Sequence, residues 1–275
     1  LLLVGNRCGT VSIIETAGHR IVGEGEVAQR LTDLVASADG SMLVVADEQT
    51  NEVLTVRRAR ADVEVLARVP VHAAPVRVAL GTAGGQAFVS CLWARQIAGV
   101  DISDPRSPRV QRHIDLPFSP RELRVLPDGE HLVVADAFRG RLGLVNVNSG
   151  DLIKIHEWNG HNLRGLGLSA DKKSLLVPHQ VLGSDATTPN GVHWGTVMMN
   201  VVRQVPLDIM FAKEKKVRAG RLAYLGTDDD AAGDPTALVT LEDGRQIVCY
   251  AGKGEIAISN SQGKEFARAA VQRRP

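Results

Sequence analysis

Three histidines, His161, His179 and His193, fall within one stretch of the chain, and imidazole is a common transition-metal ligand. They form either a metal set or a group of side chains that hydrogen-bond the backbone of irregular loops. Asp47 and Asp136 follow the same apolar run in two places, so they act either as paired acid–base groups or as caps for loop N–H groups. Arg121 and Arg164 carry the planar fork that grips an anion or a haem propionate. The same fork would lock neighbouring elements through a carboxylate such as Asp136. Gln180 adds a donor and an acceptor beside His179, and Trp93 and Trp194 serve as packing plates or as stacking surfaces. Asp228–Asp234 resembles a calcium loop loosely, without the glutamate that closes an EF-hand; a solvated turn is the other reading. The sequence contains no G-x-S-x-G, P-loop or H-E-x-x-H segment, and no nucleophile has an evident base.

The elements that position these residues come from an internal repeat. Asp39-Gly40-Ser41-Met42-Leu43-Val44-Val45-Ala46-Asp47 recurs as Asp128-Gly129-Glu130-His131-Leu132-Val133-Val134-Ala135-Asp136. Related copies begin at Gly84-Gly85, Asp171-Lys172-Lys173 and Asp243-Gly244. Aligned on 40, 85, 129, 173 and 244, the turns are 45, 44, 44 and 71 residues apart. The first three spacings match a four-stranded propeller blade of about 40–45 residues. The last equals one blade plus an irregular insertion, placed at about 181–233, with a helix expected around 207–213.

Near-continuous apolar runs suit inner strands and alternating ones suit outer strands. Asp-Gly pairs supply the left-handed residues that tight hairpins need. The fold predicted for 1–275 is therefore all-β: one β-propeller fragment of four-stranded antiparallel blades, five full and one partial, incomplete at both ends. In that arrangement Arg121, Asp136, His161, Arg164, His179, Gln180, His193 and Trp194 gather at the end bearing the insertion, the default place for a ligand or partner.

Composition narrows the class. Aromatic residues make up 4% of the chain and hydrophobic residues 44%, so the core is built from Val, Leu, Ile and Ala. Net charge is +1 with no long block of either sign, which argues against a nucleic-acid surface. The short basic run Lys213–Arg221 reads as a solvated face. No segment has the length of a membrane span. Cys8, Cys91 and Cys249 stand far apart, giving no C-x-x-C-H haem attachment and no zinc spacing.

The repeated Asp-Gly-x-x-Leu-Val-Val-Ala of Asp39–Asp47 and Asp128–Asp136, with the strands Gly9–Ile14 and Arg141–Asn146, resembles the YVTN-type β-propeller family. Relatives of that kind include lactonase-like enzymes, amine dehydrogenase subunits and surface proteins. A narrower resemblance rests on His161-Asn162-Leu163-Arg164-Gly165, Pro178-His179-Gln180-Val181-Leu182 and Val192-His193-Trp194-Gly195. These look like bacterial exported proteins in which such a propeller is joined to a di-haem cytochrome c peroxidase-like region. The resemblance implies a periplasmic or extracellular location and electron transfer. The chain departs from that pattern in lacking C-x-x-C-H, so haem c would belong to another part of the parent protein. The expected role is a non-catalytic scaffold for a protein or fused domain, such as a c-type cytochrome. The alternative is a propeller oxidoreductase or lactonase-like hydrolase with its site at the insertion-bearing end.

Overall fold

The computed structural model describes residues 1–82, 84–183, 188–189, 197–212, 220–226, 232–264 and 266–271. It shows an all-β propeller of four-stranded antiparallel blades. The first sheet has three strands, β1 (Leu2–Gly5), β2 (Thr10–Glu15) and β3 (Arg20–Glu26). The second blade is β4 (Leu31–Ala36), β5 (Met42–Asp47), β6 (Glu52–Ala59) and β7 (Asp62–Pro70). The third is β8 (Pro75–Leu80), β9 (Gln86–Cys91), β10 (Gln96–Asp101) and β11 (Arg109–Asp115). The fourth is β12 (Pro120–Val125), β13 (His131–Asp136), β14 (Arg139–Asn146) and β15 (Leu152–His161). The fifth is β16 (Gly167–Leu168), β17 (Ser174–Leu182), β18 (Met198–Pro206) and β19 (Arg221–Leu225). The sixth is β20 (Pro235–Thr240), β21 (Gln246–Tyr250), β22 (Glu255–Ile258) and β23 (Ala267–Ala270). The blade count among the described residues agrees with the repeat, with one departure: β15 pairs with β17 at His161↔Gln180, so blades four and five run together as one eight-stranded sheet.

The hairpins explain the repeated Asp-Gly. Gly40, Gly84, Gly129, Lys172 and Gly244 each donate their N–H to the carbonyl three residues back. All five have positive φ, between 56° and 88°. Asp39, Asp128, Asp171 and Asp243 accept the N–H two residues ahead through a side-chain oxygen, an Asx turn that fixes the bend. The true turn positions are therefore 84 and 172, not 85 and 173, and the spacings become 44, 45, 43 and 72 residues. A doubled glycine and a doubled lysine hid the register in those two copies.

The span 181–233 is less irregular than its spacing suggests. It holds the end of β17, all of β18 and β19, and a short helix, α1 (Leu207–Phe211), close to where a helix was expected. β17 and β18 pair over nine residues, from Ser174↔Pro206 to Leu182↔Met198. The fifth blade thus has its third and fourth strands inside the span. The extra length lies in the β17–β18 loop and in the connection that contains α1. Val201, Val202 and Val205 are the buried apolar residues that make β18 a core strand, and the polar Asn200 and Arg203 are buried among them.

Contacts divide the chain into two compact units, residues 1–133 with 145–152, and residues 134–144 with 153–275. In the first unit one core is built on Val11, Leu31, Leu43, Leu54 and Val56, and a second on Val44, Val53, Val89, Ala98 and Val100. Thr32 Oγ1 donates to Pro75 O at 2.7 Å, and Val78 N donates to Asp33 Oδ2 at 2.8 Å, so the inner strands of blades two and three are stitched by polar groups. Arg77 Nε then reaches Glu122 of β12 at 2.8 Å. In the second unit Leu176, Val202, Leu225, Val248, Tyr250 and Ala257 form the core between blades five and six.

Candidate functional site

Two of the three segments that carry the narrower resemblance, 161–165 and 178–182, form one corner of the second unit. β15 ends at His161, which pairs with Gln180 of β17. The chain then turns through Asn162, whose φ of 51° is a left-handed conformation that asparagine tolerates. Asn162 Nδ2 donates to Gln180 Oε1 at 2.7 Å, and Leu163 is fully buried beneath the turn. Arg164 Nη1 donates to Asp234 Oδ2 at 2.6 Å, just before β20. Gly165 approaches β20 so closely that a Cβ there would lie 2.2 Å from Thr236 O and 2.7 Å from Pro178 Cγ. The His-Asn-Leu-Arg-Gly and Pro-His-Gln segments therefore meet each other and the start of β20 at this corner.

Gly165→Ala tests that account. The added methyl must displace backbone, and overpacking of this kind costs about 1–3 kcal/mol. The urea midpoint should fall with the slope unchanged. An unchanged midpoint would show that the corner yields without strain.

His179 is fully buried on the face of β17 that looks toward Trp158 of β15. Burial pushes its pKa down to about 4; the Gln180 carbonyl opposes the shift, and Arg203 and His161 add to it. At neutral pH the ring is therefore uncharged. Nδ1–H donates to Gln180 O at 3.0 Å, which leaves Nε2 to accept from Arg203 Nε at 3.2 Å. Both ring nitrogens are in use, so His179 has no lone pair left for a metal. Among the described residues no group of three or more His, Cys, Asp or Glu could hold a metal ion.

Arg203 is itself buried, and the Trp158 ring centroid lies 5.2 Å from its guanidinium carbon. Its partners are thus a neutral imidazole and an aromatic face, and burial lowers its pKa from the usual value. Sequence reasoning missed Arg203, Trp158 and the Arg164–Asp234 pair. The one available signal was a charged residue inside the apolar run Val201–Val205. Several buried polar atoms here have no hydrogen-bond partner: Trp158 Nε1, Arg164 Nε, Asn200 Oδ1 and Asp234 Oδ1.

The remaining expected residues are placed as follows. Asp136 is fully buried, accepts from Phe138 N at 3.1 Å and pairs with Arg141 at 2.6 Å, so it caps its own hairpin. Asp47 is likewise buried and accepts four backbone N–H groups, from Gln29, Arg30, Gln49 and Thr50. Arg121 belongs to the first unit, on β12, where its carbonyl accepts from Ser90 Oγ at 2.8 Å. His193 and Trp194 lie outside the described residues, as do Asp228–Asp230; Asp234 is engaged by Arg164. Burial pushes the Cys91 thiol up to about 12 and raises Cys249 as well, so neither of these two is activated by its surroundings.

No protein-family profile and no curated protein sequence matches the chain. Solved structures do. Hydrazine synthase of Kuenenia stuttgartiensis superposes with a TM-score of 0.79 at 19% identity, covering 93% of this chain and 72% of that one. The Cps50 (Swd1) β-propeller domain of Myceliophteria thermophila gives 0.69 at 15% identity, covering 98% and 82%. A catalytically inactive virginiamycin B lyase from Staphylococcus aureus, solved with quinupristin, gives 0.67 at 14% identity, covering 96% and 78%. At these identities the likeness is one of fold, and these proteins' activities differ among themselves.

Proposed function

We propose that the chain is a non-catalytic YVTN-type propeller module of an exported bacterial protein, working in the periplasm or outside the cell. Its corner at His161–Gly165 and Pro178–Gln180 serves as the seat for a protein partner of the c-type cytochrome or di-haem class. The observation that carries this reading is the state of His179. Its two nitrogens are spent on Gln180 and Arg203, so the motif supplies a fixed shape and not a free base. The Arg164–Asp234 ion pair, its side chains 31% and 28% exposed, is the charged feature of this corner that a docked partner would contact. The choice of partner rests on the resemblance of the His-Asn-Leu-Arg-Gly, Pro-His-Gln and Val-His-Trp-Gly segments. Among the described residues no helix is long and apolar enough to cross a membrane.

Haem, on this reading, is carried by the partner. Purified chain should show no covalent haem by the pyridine haemochrome assay, because Cys8, Cys91 and Cys249 lie in different blades. Calorimetric titration with a purified di-haem cytochrome c peroxidase should give saturable binding. Arg164→Ala should weaken it by about tenfold, the loss of one charge-assisted contact. Absence of binding, or turnover of a lactone or peroxide by the chain alone, would overturn the proposal.

A further inference from the structure

The first unit contains a cleft of about 580 Å³ between blades two and three, unrelated to the corner described above. Its walls are Ala36, Met42 and Val44 of blade two, and Leu80, Ile102 and Pro105 of blade three. The cleft exists because the turn residues facing each other there are small. At the next junction, between blades three and four, Thr82 reaches the hairpin glycine Gly129 and occupies the space a Cβ would take. The equivalent pair between blades two and three is Ala38 and Gly84. A Cβ built on Gly84 meets nothing within 4 Å. One junction of the repeat is filled and the adjacent one is open.

The opening is held rather than collapsed. Residues 102–108 connect β10 to β11, whereas only Arg60 and Ala61 separate β6 from β7. The longer loop reaches back to blade two, where Thr55 Oγ1 donates to Pro105 O at 2.5 Å. Ile102 N donates to Gly85 O at 2.8 Å, and Asp101 Oδ1 accepts from Ser103 N at 3.0 Å. Ser107 N closes a turn onto Asp104 O at 3.0 Å. The far wall is thus fixed by its own hydrogen bonds before any ligand arrives, the condition under which a pocket binds without a large ordering cost.

The lining also decides the ligand. No charged side chain contributes to it, and its polar side chains are hydroxyls. Thr55 is spent on Pro105, Ser37 Oγ donates to Asp39 at 2.5 Å, and Ser103 Oγ donates to Asp101 at 2.6 Å. Those two carboxylates stand behind the rim serines. Hydrogen bonds from Ser37 and Ser41 hold Asp39 at a pKa of about 2, and those from Ser103 do the same for Asp101. An anion would find no cation on the wall; Asp39 adds negative charge behind one rim serine, while Asp101 is paired with Arg109 at 3.2 Å. The volume lies within the range of about 300–1,000 Å³ usual for small-molecule pockets.

We propose that this cleft is a binding site for an uncharged apolar small molecule, ring-bearing or branched, held by Met42, Leu80, Ile102 and Pro105. The probe is N-phenyl-1-naphthylamine, a neutral dye that fluoresces in apolar surroundings, with 8-anilinonaphthalene-1-sulfonate as its anionic counterpart. The neutral dye should bind saturably at one site, and the anionic one at least about tenfold more weakly. Ala38→Trp, at an exposed turn position, should fill the opening and lower the neutral dye's affinity by about tenfold. Ala36→Phe should do the same from deeper in the wall. Methyl NMR of the unmodified chain should show Met42, Leu80 and Ile102 shifting along one binding curve, a readout that does not depend on either variant folding. The proposal fails if binding does not saturate, if Ala38→Trp binds as tightly as the unmodified chain, or if those methyls do not move.

Discussion

Asp47→Ala is expected to lower the stability of the chain by about 3–5 kcal/mol, since several part-buried N–H groups lose their acceptor at once. Gln29 N donates to Oδ2 at 2.7 Å; Arg30 N and Gln49 N donate to Oδ1 at 3.0 Å, and Thr50 N at 3.4 Å. The carboxylate is fully buried and ties the entry of β4 to the β5–β6 hairpin, so no water can replace it without opening the loop. Burial alone would raise its pKa, but the four amides together outweigh that and hold it below the usual carboxylate value. The sign of the pH effect follows. A depressed folded pKa gives stability that is present above about 3.9, the unfolded value, and is lost as pH falls through the folded one. Asp47→Asn keeps one oxygen acceptor and loses the charge, so it should cost roughly half as much. Urea unfolding of the three proteins at pH 7 checks the order. A drop below 1 kcal/mol for the alanine variant would mean that the loop rehydrates freely and that Asp47 is not a cap.

The same contrast shows how far the sequence carried. Asp47 and Asp136 occupy one repeat position, and of the two roles that position left open, their backbone N–H partners are those of a cap. The second strands and hairpins were legible because their signals are local: an apolar run, an Asx-forming aspartate and a left-handed glycine. The third and fourth strands of blade five were not, because Arg203 and Gln204 interrupt the apolar run and the 72-residue interval concealed its partition. The corner was half legible. His161–Gly165 and Pro178–Gln180 stood out as motifs, but their partners Trp158, Arg203 and Asp234 lie on other strands. Nothing local reports that Gly165 meets Thr236 O, or that Arg203 needs an imidazole acceptor. Contacts of that range are set by how blades pack, and periodicity within one blade is silent about them.

His179 supplies the second large effect, and it acts in a different pH window from the aspartates. In the unfolded chain a histidine titrates near 6.5; here burial holds the folded value at about 4. The folded state therefore binds fewer protons than the unfolded state between those values, and stability falls as pH drops from 6.5 toward 4. Above 6.5 the group contributes no pH dependence, and below 4 the loss is complete. A shift of that size corresponds to about 3 kcal/mol. The charges facing the ring are Arg203 on β18 and His161 on β15, and both disfavour the imidazolium. Protonation would also convert the Arg203 Nε···Nε2 hydrogen bond into two opposed donors. His156, buried on β15 with Nε2 against Met210 O, has its pKa lowered by burial as well, so part of the total slope belongs to it. His179→Gln separates the two. Glutamine retains an oxygen for Arg203 and cannot be protonated in this range. Unfolding free energies at pH 7 and pH 4.5 should differ markedly less in the variant than in the unmodified chain. Equal differences would place the acid sensitivity elsewhere and return His179 to an ordinary, solvated histidine. A reduced slope would establish that the corner holds its shape through a neutral imidazole, and that acid releases Arg203 from it.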